Sequence, residues 1–124
     1  MMKVDALITD DAFHGAEAGG IKLDGGKPTF SLLPDDALAA IHHVLNFGAL
    51  KYSARNWELG MDWMRPWNAC LRHLWAWARR APCDPETGKS HLLHAGCCIL
   101  FLIAYELRKV GTDDRPPPVP GRGP

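Results

Sequence analysis

From Leu92 to Tyr105 the chain runs 14 residues that, His94 apart, are apolar all round a helix, and no other stretch constrains the fold as strongly. A bilayer span needs roughly 20 such residues, so the run is read as a helix of a soluble protein. Ser90 is a reasonable N-cap in front of it, and Arg108 and Lys109 complement the dipole at its far end. A helix from His91 to about Lys109 with no polar face has to be the buried centre of the fold or part of a subunit interface.

Two more helices can be placed before it. Pro34 fixes a helical φ, Asp35 and Asp36 suit a first turn, and Leu38, Ile41, Val44, Leu45 and Ala49 recur at helical spacing. These give a first helix of about Pro34 to Tyr52. Gly48 inside it costs about 1 kcal/mol relative to alanine, so a close approach by another helix or a ligand is expected there. Arg55 to Arg65 reads as a loop. Pro66 opens a second helix, with Trp67, Leu71, Leu74 and Ala78 as its core stripe, running to about Ala81 before Pro82 ends it.

Residues 1–33 are glycine-rich and weakly periodic, an irregular arm with a short extended piece at Thr29 to Leu32. Five prolines in the last nine residues imply a disordered or polyproline tail over 112–124. The expectation is an all-α fold: a small bundle of three main helices in a single domain, 1–111. That is a thin core for a chain that is 47% hydrophobic, which points to a homodimer or higher homo-oligomer.

The formal net charge is zero. Duplex nucleic acid and anionic membranes usually call for a large basic excess, so neither is an expected partner. Cys70, Cys83, Cys97 and Cys98 form no paired zinc motif, and the adjacent Cys97 and Cys98 read as small buried hydrophobes. That usage, with nothing like a signal peptide at the start, fits a reducing compartment, the cytoplasm.

The chemistry concentrates in Arg72-His73, Asp84-Pro85-Glu86-Thr87-Gly88 and His91-Leu92-Leu93-His94. His91 and His94 leave one helical face a turn apart, and a short link folds the preceding helix, with His73, back beside them. His73, Glu86, His91 and His94 are candidate ligands for a divalent cation, zinc or manganese rather than magnesium on donor chemistry. Asp84 and Glu86 are the candidate catalytic acids, Asp84 as general base or as a partner orienting a histidine. Upstream, Lys51, Tyr52, Arg55, Asn56 and Trp57 supply cations for phosphate, rings for a purine and an amide for a base edge. Lys27 and Arg72 are further phosphate candidates. The opposing readings are plain: helix-end cations complementing a dipole, solvated acids in a turn, histidines at a helix start. His42 and His43, being adjacent, point to different faces and read as surface or core-edge residues.

In order and spacing these residues resemble the small phage dATP/dGTP diphosphohydrolases. The matching segments are Lys22-Leu23-Asp24-Gly25-Gly26-Lys27-Pro28, Leu32-Leu33-Pro34, Gly48-Ala49-Leu50-Lys51-Tyr52, Asn56-Trp57, Arg72-His73, Asp84-Pro85-Glu86-Thr87-Gly88 and His91-Leu92-Leu93-His94-Ala95. The resemblance implies hydrolysis of a purine deoxynucleoside triphosphate to monophosphate and pyrophosphate with a divalent metal (magnesium, manganese or zinc), in phage nucleotide-pool metabolism. Some relatives belong with the all-α MazG-type pyrophosphohydrolases, which hold magnesium through Glu-x-x-Glu and Glu-x-x-Asp. Glu17, Glu58, Glu86 and Glu106 are the only glutamates of this chain. No such pair exists among them, so that cage does not transfer. The competing functional readings are a non-catalytic metal-binding structural or interaction module, and another nucleotide phosphohydrolase.

Overall fold

A computed structural model describes residues 19–121. It divides into two units, Met1–Asp35 and Asp36–Pro124. In the first, Lys27 N–H closes a turn onto the Asp24 carbonyl, and Phe30–Leu32 form one turn of 3-10 helix where an extended piece was expected. The rest of the arm, 1–18, lies outside the described residues.

The second unit carries helices α1 (Asp35–Lys51), α2 (Met64–Ala78) and α3 (His91–Arg108), with a 3-10 turn at Asn56–Leu59 between α1 and α2. Among the described residues the fold is all-α, as expected. Ser90 does cap α3, its Oγ accepting the Leu92 N–H. The second helix ends at Ala78, short of Ala81, because Arg80 takes a left-handed conformation. The Arg80 and Ala81 N–H groups then bond back to the Trp77 and Ala76 carbonyls, a Schellman closure. At its start, α2 begins two residues before Pro66, because Asp114 Oδ1 accepts the Met64 N–H at 2.9 Å. The stretch after Gly111, read from composition as a loose tail, is thus fastened at its beginning. Asp62 bridges Thr112, Trp63 N–H donates to the Thr112 carbonyl, and Trp63 Nε1 donates to the Val110 carbonyl.

Helices α2 and α3 pack as an antiparallel pair: His73 meets His91 near one end, while Trp63, Met64 and Trp67 share a groove with Ile99, Leu102 and Ile103 at the other. The buried residues of α2 are Pro66 and Cys70, with Met64, Ala69, His73 and Ala76 half-buried, so the stripe expected to form the core lies outside it. Trp67, Leu71 and Leu74, with Leu92, Ile99, Leu100 and Ile103 of α3, are 39–49% exposed. The apolar core is small: Cys70, Ala95, Cys97 and Tyr105. By length and composition alone α3 is long enough to cross a membrane, but its first turn builds a polar site with α2. The first helix crosses α3 closely at Gly96, where an added Cβ would sit 2.9 Å from Ile41 Cδ1. Nothing lies within 4 Å of a Cβ at Gly48; that glycine faces an open cleft.

Candidate functional site

Three side chains from two helices and the link between them converge. His73 comes from the second half of α2, Asp84 from the link and His94 from the first turns of α3. One ligand atom of each lies within 4.8 Å of the other two. The local chemistry of the link sets Asp84 in place. Its Oδ1 accepts the Glu86 and Thr87 N–H groups at 2.9 and 3.2 Å. The turn closes through Gly88 N–H to the Asp84 carbonyl, with Gly88 left-handed (φ +69°).

His94 Nε2 is 2.7 Å from Thr87 Oγ1 and 3.7 Å from Asp84 Oδ1. The ring of His73 stacks on that of His94, centroids 4.6 Å apart, and its Nδ1 is 2.9 Å from His91 Nδ1. His91 therefore stands beside His73 rather than in the three-residue group.

Burial lowers the affinity of His73 and His94 for a proton, and the neighbouring imidazoles push the same way. Burial would by itself raise the Asp84 carboxyl, but the Thr87 and Glu86 N–H groups and the nearby histidines hold it below its usual value. Two neutral imidazoles and one ionised carboxylate are a donor set for a borderline divalent cation. Three protein donors would leave further positions of such an ion open.

Beside this group opens a cleft of about 590 Å³, bounded by the C-terminal half of α1, residues 52–58 and α3. Lys51, Tyr52, Arg55, Asn56 and Trp57 all line it, as do Glu86 and His94. His94 belongs to both the donor group and the cleft wall. The Glu86 carboxylate is turned to Lys51, Nζ–Oε2 2.8 Å, and that contact, chiefly its hydrogen bond, raises the lysine's proton affinity.

Trp57 is built into the wall: its ring stacks on Phe101 at 4.7 Å, Arg108 lies 5.3 Å from its centre, and its carbonyl accepts the Tyr105 hydroxyl at 2.6 Å. Tyr52 is 65% exposed, with the Lys51 ammonium 5.3 Å from the centre of its ring. Arg55 is paired with Glu58 at 2.5 Å.

Arg72 is not part of the cleft lining, although its charge acts on His73 and on Cys98 in the cleft wall. Lys27 belongs to the other unit. His42 and His43 are exposed on α1, His42 Nδ1 lying against the Ala39 carbonyl.

Sequence reasoning missed Thr87, Phe101 and Tyr105. Tyr105 carried a signal: it is the one hydroxyl in the apolar run, and a buried hydroxyl needs a partner. Thr87 and Phe101 carried none that a single sequence exposes.

Residues 17–115 match the family model described as dATP/dGTP diphosphohydrolase, N-terminal. A dATP/dGTP diphosphohydrolase of Salmonella phage PMBT28 is 33% identical over 96 residues, which are 77% of this chain and 33% of that protein. The chain thus spans about a third of the length of the curated relative it matches. No solved structure matches. The family match covers both the cleft and the donor group beside it, and the chain belongs to the dATP/dGTP diphosphohydrolase N-terminal family.

Proposed function

We propose that this chain hydrolyses a purine deoxynucleoside triphosphate to the monophosphate and pyrophosphate, with a divalent cation, as part of phage nucleotide-pool metabolism in the host cytoplasm. The observation that carries this reading is the double membership of His94. A cation held by His73, Asp84 and His94 would lie at the edge of a cleft whose other wall carries Lys51, Tyr52, Arg55 and Asn56. The names of the family and of the phage relative support the reaction and the purine.

His73, Asp84 and His94 are the residues that would hold the cation, which would supply Lewis-acid polarisation of the phosphoanhydride and a lowered pKa for the attacking water. Water adds to the α-phosphorus, the α–β bridge breaks, and pyrophosphate leaves with the bond's electron pair. Asp84, held ionised by its backbone donors, serves as a ligand. Glu86, in the cleft wall and paired with Lys51 in the free protein, is the carboxylate that takes the proton from water once that contact is exchanged. Lys51 and Arg55 neutralise the triphosphate, Tyr52 stacks on the purine, Asn56 reads its edge, and Trp57 keeps the wall in shape. His91 orients His73. The working form is a homo-oligomer, with the exposed stripes of α2 and α3 as its interface.

Metal-loaded protein incubated with the common dNTPs and NTPs should release pyrophosphate from dATP or dGTP. His73→Ala and His94→Ala should each lower cation affinity and turnover by at least ~100-fold with helix content kept. Inorganic triphosphate as product, or full activity in both variants, overturns the assignment.

A further inference from the structure

The Lys51–Glu86 ion pair stands between the nucleotide wall and the cation site. Lys51 ends α1, Glu86 sits in the link, and 35 residues separate them in sequence. Both line the cleft. The Glu86 N–H already donates to Asp84 Oδ1, and the charge of its carboxylate is felt at His94. The Glu86 backbone is therefore tied to the donor group while its carboxylate is tied to the ammonium of Lys51.

Both partners are well exposed, 41% and 55%, and ion pairs in such settings are weak and readily exchanged. A polyphosphate offers Lys51 several anionic oxygens in place of one carboxylate.

We infer that the Lys51–Glu86 pair is a latch that an incoming polyphosphate opens, transferring Lys51 to phosphate and releasing Glu86 into the immediate surroundings of the cation. The inference rests on the proposed cation site and adds to it an order of events. The proton-accepting carboxylate reaches the cation only when a nucleotide occupies the cleft. Nucleotide and cation then strengthen each other's binding, as linkage requires. A free cation alone meets a site with one carboxylate instead of two.

The test is a double-mutant cycle on cation binding with no nucleotide present, so that chelation by the ligand does not enter. Mn²⁺ or Zn²⁺ affinity is measured by calorimetry for the wild type, Lys51→Met, Glu86→Gln and the double variant. The latch predicts that Lys51→Met tightens cation binding by about tenfold and that the gain disappears when Glu86 is already Gln.

If Lys51 merely repels the cation, the gain persists in the Gln background and the latch is wrong. Equal affinities in wild type and Lys51→Met overturn it as well, while leaving the three-residue site intact. Failure of the site itself reads differently: the wild type then binds no cation, or binds it as well after His94→Ala. Far-UV circular dichroism on each variant confirms that the helices are kept.

Discussion

Tyr105 shows how one side chain in an apolar helix can shape a distant cleft. The phenol is buried, and its hydroxyl donates to the Trp57 carbonyl at 2.6 Å, pinning the 3-10 turn that forms one wall. Tyr105→Phe leaves that carbonyl without its donor and should cost about 1 kcal/mol, as measured by urea unfolding. The nucleotide KM should rise several-fold with kcat nearly unchanged, since the wall loosens while the cation group does not. His73 and His94 carry a pH dependence whose sign follows from burial. Both imidazoles bind a proton less readily in the folded protein than the ordinary value near 6.5. The unfolded chain therefore takes up more protons as the pH falls. Their contribution is complete above about pH 6.5 and is lost as the pH drops through the lower folded values. Asp84, also held low, is lost in the same direction at more acid pH. Thermal melts of metal-free protein should show the midpoint falling between about pH 7 and pH 5, with a flatter slope in the His73→Gln/His94→Gln double variant. A slope unchanged by those substitutions would remove the histidines from the account.

Among the secondary elements, two glycines at close approaches have different consequences. At Gly111 the backbone is left-handed (φ +82°), and an added Cβ would lie 2.3 Å from the Met61 carbonyl oxygen. The obstacle is backbone, in the seam where residues 60–63 meet 110–114, and it cannot step aside. Gly111→Ala should therefore destabilise by about 2 kcal/mol or more, read as a lower denaturation midpoint. At Gly96 the obstacle is the tip of the flexible Ile41 side chain. Alanine there gains up to ~1 kcal/mol of helix propensity, so Gly96→Ala should be close to neutral, and a bulkier Gly96→Leu should drive α1 away. Periodicity, proline and capping signals located all three helices because such signals are local: α1 and α3 end within a residue of where the sequence places them. The early start of α2 was hidden because the group that caps it, Asp114, arrives from 50 positions away. His73, Asp84 and His94 lie within 22 residues on two helices and their link, so the sequence could name His73 and His94 together as donors, but it set Glu86 and His91 beside them where the structure brings Asp84. The partnership of Trp57 with Phe101 and Tyr105 spans more than 40 residues and left no trace in spacing.

For the whole molecule the decisive fact is that the apolar stripe of α2 is not covered. Spacing of four, three and four between Trp67, Leu71, Leu74 and Ala78 establishes that one helical face is apolar, and it is silent about what lies against that face. Among the described residues of the helical unit the stripe stays 39–43% exposed at Trp67, Leu71 and Leu74. Leu92, Ile99, Leu100 and Ile103 of α3 are similarly open, and Trp75 and Leu107 are 65% and 78% exposed, a set of side chains of the kind that interfaces between copies bury. A second copy is the occupant this favours. Each chain presents an antiparallel helix pair, and a two-fold axis would set two such pairs face to face as a four-helix layer. Sedimentation equilibrium should then show a dimer at micromolar concentration. A charge placed at the centre of the stripe, Leu71→Glu or Ile103→Glu, should give monomers that keep their helices. Both residues lie outside the cleft lining, so the nucleotide groups are left in place. A wild-type chain that sediments as a monomer at tens of micromolar would remove the second copy as the covering partner.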